Sequence, residues 1–238
     1  AELSPAPEAA PAGTAPDSRL LGGPQMYRPG LTIDSPPTSD LFTKDAVGAL
    51  TTLEAIGAMV DACRKCSLGH SRRHVVPGEG HPEARLVLVG EAPGATEDET
   101  GRPFVGRAGQ LLNDILKSIA LAREAVFICN VLKCRPPGNR DPEPLEARAC
   151  SPYLHRQLEL IRPKVILALG KPAATTLLNV PRTTSLGDLR GQVHRYRGTP
   201  LVVTYHPAAL LRNPHWKAPT WDDVRIARRI LDGEPLSA

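Results

Sequence analysis

The chain of 238 residues carries 29 basic and 25 acidic side chains, a formal charge of +4, and 41% of its residues are hydrophobic. That is enough apolar material for one sizeable core, and it fits one domain plus a tail better than two full domains. Three Phe, four Tyr and two Trp are too few rings for an aromatic-cored β-sandwich, and 25 Pro are too many for a uniformly folded chain.

No apolar run approaches the roughly 20 residues that span a bilayer, and the first residues lack the basic-then-apolar layout of a signal peptide. A cytoplasmic protein without a membrane segment is therefore expected. The basic residues are 22 Arg and 7 Lys, a balance suited to bidentate contact with phosphate or carboxylate. Codon bias explains that balance equally well, so the placement of the arginines must carry any argument for a nucleic acid.

Residues 1–39 are Ala, Pro, Gly, Ser and Thr with few branched aliphatics. Such a composition does not offset its ordering entropy and is expected to be a disordered tail. Residues 40–238 should form the folded domain. Leu41, Ala46, Leu50, Leu53, Ile56 and Met59 recur at helical spacing and predict a helix that delivers Cys63 and Cys66.

Four short, almost continuously apolar runs follow, at 85–90, 126–132, 164–170 and 201–205, as expected of strands covered on both faces. Between the first two, Ala108, Leu111, Leu112, Ile115, Leu116 and Ile119 form a helical stripe. Residues 191–198 alternate enough for a short strand or hairpin arm, and a last helix is expected near 221–231. Strand alternating with helix predicts an α/β fold: three layers, α/β/α, around a central, mainly parallel four-stranded sheet.

In open α/β sheets ligands bind beyond the carboxyl ends of the strands. Here the first run ends in Gly90-Glu91-Ala92-Pro93-Gly94, the second holds Asn130, the third ends at Gly170 and the fourth enters His206-Pro207. A carboxylate, an amide and an imidazole are thus expected on one rim. Singly they read as a loop charge, a turn former and a surface histidine, but an Asn inside an apolar strand needs its hydrogen bonds met. The loop 91–110 has four glycines and neither a Walker nor a G-x-G-x-x-G pattern. Phe104 within it suggests a ring presented to a flat ligand rather than spent in the core; taken alone, it would read as a loop anchor packed on the sheet.

Cys63-x-x-Cys66, Cys134 and Cys150 make a second constellation. Four thiolates suit tetrahedral zinc or a [4Fe–4S] cluster, and spacing alone does not choose between them. Disulfides and a thioredoxin-like pair fit less well, and Cys129, inside a strand, reads as a small core residue. In the last motif, His206 to Pro214, Leu210 and Leu211 read as an exposed apolar wedge beside Arg212; wedges of this kind distort a base stack. Plain helix packing of the two leucines is the competing reading.

These motifs closely resemble the family 4 uracil-DNA glycosylases, the iron–sulfur branch of the uracil-DNA glycosylase superfamily. The resemblance rests on GEAPG at 90–94, TGRPFVGRAGQLL at 100–112, NVLKCRPPGNR at 130–140, the four-cysteine layout and HPAALLR at 206–212, and it covers roughly 53–231. It implies an enzyme that flips deoxyuridine out of single- or double-stranded DNA, hydrolyses the N-glycosidic bond and starts base excision repair.

By motif position, Gly90, Phe104, Asn130 and His206 would bind uracil. Glu91 and His206 would be catalytic, with Glu97 and then Asp98 as second and third choices for the carboxylate. Arg107, Arg135 and Arg212 would contact phosphates beside Leu210 and Leu211. Cys63, Cys66, Cys134 and Cys150 would hold a [4Fe–4S] cluster, and a monomer is expected. A family 5 enzyme would carry Asp in place of Glu91. The covalent uracil-binding relative has a reactive histidine in a longer loop, whereas 133–141 contains none. Rival readings are a non-catalytic damage binder, an electron-transfer or scaffolding metal protein and a nucleotide hydrolase.

Overall fold

The four apolar runs form the middle of a single sheet. In the computed structural model, which describes residues 28–34 and 44–234, they become β3 (Leu86–Gly90), β4 (Phe127–Asn130), β5 (Val165–Leu169) and β7 (Thr199–Thr204). These four are mutually parallel in the order β4-β3-β5-β7. Their near-continuous hydrophobicity has the expected cause, because every residue of β3, β4 and β5 is buried.

Alternation sends Val87, Val89, Ile166, Ala168, Leu201 and Val203 to one face, and Leu86, Leu88, Val165, Leu167, Leu169 and Val202 to the other. The first face packs against α6 (Pro144–Ile161) and α7 (Lys171–Leu177), the second against α5 (Arg107–Ser118) and α10 (Lys217–Asp232). The chain is therefore a three-layer α/β/α domain.

The sheet has seven strands, not four. β2 (Glu79–Gly80) pairs antiparallel with β4 at one edge. At the other edge, β6 (Gln192–Tyr196) forms a hairpin with β7, and β1 (Arg28–Ile33) lies parallel to β6. The expectation of a disordered tail over 1–39 thus fails at 28–33; residues 1–27 and 35–43 lie outside the described residues.

A specific fit compensates for the poor composition of β1. The Leu31 amide donates to Nδ1 of the buried His194 at 2.9 Å. Opposite that ring sits Gly30, where a Cβ would fall 2.5 Å from His194 Nδ1. Neither signal is visible in a Pro/Gly-rich stretch read alone.

The helix expected from Leu41 onward is two helices, α1 (Lys44–Gly48) and α2 (Leu53–Asp61). The break falls at Thr52, whose side chain caps α2 by accepting from the Ala55 amide at 3.1 Å. After α3 (Leu68–Ser71) and α4 (Ala95–Thr100), the largest element the periodicity did not reveal is α6. It starts with Pro144 after a Glu143/Glu146 capping box and contains Pro152. The missing Pro152 amide would have bonded the Arg148 carbonyl; the Ser151 hydroxyl donates to that oxygen instead, at 3.3 Å.

Candidate active site

The carboxyl ends of the parallel strands form the rim on which the sequence placed its polar residues. Gly90 and Asn130 are paired neighbours in the β3–β4 register. A Cβ on Gly90 would lie 2.3 Å from Asn130 Oδ1 and 2.6 Å from Phe104 Cζ. Gly90 therefore exists as the bare floor onto which an amide and a ring converge. Gly170 plays the same part between β5 and β7. Its φ of +89° and its position, where a Cβ would be 3.0 Å from that of His206, exclude other residues.

The Phe104 and His206 rings stand 5.4 Å apart, tilted by 35°. Phe104 is only 5% exposed and packs with Leu112, Leu116 and their neighbours. The expectation of a ring withheld from the core is corrected: Phe104 belongs to the core and also lies against Gly90 and His206.

Asn130 is 1% exposed, and its Oδ1 is buried without a hydrogen-bond partner. An unpaired buried acceptor costs about 1–3 kcal/mol, a cost that a donor on a bound ligand would remove. Its backbone is fixed from behind by Lys133, fully buried, whose Nζ donates to the Asn130 carbonyl at 2.8 Å and to Gln157 Oε1 at 2.6 Å. Sequence reading missed this lysine because a charge after an apolar strand reads as surface.

His206 precedes α9 (Pro207–Arg212), and its Nδ1 accepts from the Ala208 amide at 3.2 Å. Desolvation, with Arg212 nearby, lowers its pKa to about 4. The ring is then neutral at physiological pH, and because Nδ1 is an acceptor its proton sits on Nε2, leaving that atom as a donor.

Glu91 follows β3 and is half-buried. Its backbone carbonyl accepts from the Leu132 amide at 3.0 Å. Desolvation and the charge of Asp141, partly offset by Arg182, raise its carboxyl pKa to about 7. Glu97 is occupied differently. Its Oε1 accepts from the amides of Val105 and Gly106 at 2.9 Å each, fixing the turn that leads into α5. Asp98 is buried and accepts from the Arg73 amide at 3.0 Å.

Arg107 begins α5 and Arg212 ends α9; the two helices pack together and both arginines are exposed. Arg135 bonds Asn139 Oδ1 at 2.8 Å. The paired exposed leucines are corrected. Leu210 is buried at 1%, whereas Leu211 is 42% exposed.

Cys63, Cys66, Cys134 and Cys150 line one cavity with Val60, Lys65 and Tyr153, and none is in a disulfide. α2 delivers the first pair, the segment after β4 the third and α6 the fourth. Arg72 Nη1 lies 3.0 Å from Cys134 Sγ, and the Lys133 amide 3.3 Å from Cys150 Sγ. Burial pushes the Cys150 thiol up to about 12. Four thiols facing a shared space, with N–H donors beside two of the sulfurs, are a donor set suited to a thiolate-held metal ion or iron–sulfur cluster.

Residues 77–225 match the family model described as the uracil DNA glycosylase superfamily. The chain is 45% identical over 188 residues to a type-4 uracil-DNA glycosylase of Sulfurisphaera tokodaii, covering 76% of this chain and 86% of the relative. It is 43% identical over 196 residues to the type-4 enzyme of Saccharolobus solfataricus, covering 79% and 90%. A type-5 uracil-DNA glycosylase of Pyrobaculum aerophilum is more distant, 33% identical over 57% of this chain and 66% of its own length. Strand ends and matching relatives agree: the chain belongs to the uracil-DNA glycosylase superfamily and, within it, to the type-4 uracil-DNA glycosylases.

Proposed function

We propose that this protein is a monofunctional glycosylase that flips deoxyuridine out of DNA, hydrolyses its N-glycosidic bond and leaves free uracil and an abasic site, beginning base excision repair. The observation that carries this reading is the buried, unpartnered Oδ1 of Asn130 between the bare floor of Gly90 and the ring of Phe104. A uracil stacked on Phe104 would donate N3–H to Oδ1 and accept from the same amide at O4. Cytosine presents the reverse pattern and leaves both ends unpaired, which a buried hydrogen-bonding site rejects strongly.

Cleavage sends the electrons of the C1′–N1 bond onto uracil, where charge collects at O2. The Nε2–H of neutral His206 stabilises that charge without first giving up a proton. The sugar becomes oxocarbenium-like, and the ionised Glu91 carboxylate faces it, orients a water and takes the proton released as the water oxygen bonds C1′. Glu97, held by two amides, keeps the loop in shape. Leu211 would occupy the gap in the base stack while Arg107, Arg135 and Arg212 hold phosphates. The enzyme acts as a monomer on single- or double-stranded DNA in the cytoplasm, where its substrate lies. Among the described residues no helix is long and apolar enough to cross a membrane.

Cys63, Cys66, Cys134 and Cys150 would hold a [4Fe–4S] cluster, which when bound supplies a redox-capable clamp joining three segments of chain. The residues themselves tie the end of α2 to α6 and to the segment that carries Lys133, behind Asn130. Chromatographic detection of free uracil after incubation with uracil-containing DNA tests the activity. Release of uracil with both strands intact is expected, and bound but unreleased uracil would favour a damage reader.

A further inference from the structure

Phe104 adopts a left-handed backbone, with φ of +50°, a conformation that disfavours any residue with a side chain. Something must hold it there. Arg123, on the short turn Arg123–Ala125 before β4, donates through Nη1 to the Phe104 carbonyl at 3.1 Å and through Nη2 to the carbonyl of Pro103.

Two successive carbonyls turned out of any ladder match the planar fork of a guanidinium, which a lysine does not reproduce. The fork is itself fixed, by Asn113 Oδ1 of α5 at 3.3 Å and by Glu79 at 3.8 Å. Gly109 makes room: a Cβ there would sit 1.8 Å from the Phe104 carbonyl oxygen. The outcome of the turn is the ring's place against Gly90 and His206.

We infer that Arg123 is a positioning residue for uracil excision, holding Phe104 in its left-handed turn so that the ring meets the flipped base. The inference rests on the reading of Phe104 as the base platform. Arg123 bonds the backbone behind the Phe104 ring, so its effect on excision is expected to pass through Phe104.

A double-mutant cycle under single-turnover conditions tests it, with Arg123→Met, Phe104→Ala and both together, each loaded with its iron and checked by circular dichroism. Phe104→Ala and Arg123→Met should each slow uracil release by tens of fold. In the Phe104→Ala background, Arg123→Met should add less than threefold. Arg123→Lys, which keeps the charge beside Glu79 with a single donor group, should fall between wild type and Arg123→Met and serves if the Met variant does not fold. The acid limb set by Glu91 should not move. Full multiplication of the two effects, or a wild-type rate for Arg123→Met or Arg123→Lys while Phe104→Ala is impaired, would overturn the role of Arg123. An unimpaired Phe104→Ala would instead remove the platform reading, and the inference with it.

Discussion

Replacing Asn130 by Leu keeps the number of side-chain heavy atoms but removes the acceptor that is buried without a partner. In the free protein that acceptor costs about 1–3 kcal/mol. The variant should therefore be at least as stable as wild type and more stable by about 1–2 kcal/mol, a rise in Tm of roughly 3–6 °C for a domain of this size. In the uracil complex the same change removes two hydrogen bonds and strands two polar groups of the base. At about 1–3 kcal/mol each, excision should fall by roughly 30-fold to 10⁴-fold.

Thermal unfolding with and without free uracil, beside single-turnover excision, measures both. Uracil at about 100 times its Kd should stabilise wild type by about 2.7 kcal/mol and leave Asn130→Leu unmoved. A destabilised variant that uracil still protects would refute the assignment of Asn130 as the group that reads the base.

Excision should rise with pH through about 7 as Glu91 ionises, and Glu91→Gln should lose both the limb and most of the rate. Because the folded state raises this pKa from 4.5, Glu91 contributes stability below about 4.5 that disappears as pH climbs through 7. Unfolding at pH 8 should accordingly show Glu91→Gln more stable than wild type. Leu210→Ala should destabilise the fold by about 2–5 kcal/mol, whereas Leu211→Ala should leave Tm unchanged and weaken excision from duplex more than from single strands; equal effects of the two would contradict their different burial. Cys150→Ser should lose iron and the broad absorption near about 400 nm together with thermal stability, as followed by metal analysis and calorimetry. Removing Arg212 should flatten the dependence of DNA binding on salt, seen in titrations at several ionic strengths.

The parallel centre of the fold was legible because strands buried on both faces must be apolar throughout, and the rim followed from where those runs stopped. Gly90, Asn130 and His206 were readable for the same reason, since each ends or follows an apolar run. What escaped depended on partners distant in sequence. β1 holds its place through His194, 163 positions away from Leu31, and composition alone argued for disorder. Lys133 and Arg123 are charges whose acceptors include backbone carbonyls, and no sequence pattern announces a carbonyl in need of a donor. Leu210 and Leu211 are chemically identical neighbours; only the tertiary packing around α9 decides which of them is buried.

Uracil excision is read out by single-turnover incubation with a labelled oligonucleotide carrying one uracil, beside a cytosine control, followed by alkali. Strand breakage is expected at uracil alone, only after alkali, with no protein–DNA adduct on denaturing electrophoresis. DNA that is retained but never cut, or cut at cytosine as readily as at uracil, would contradict the proposed activity.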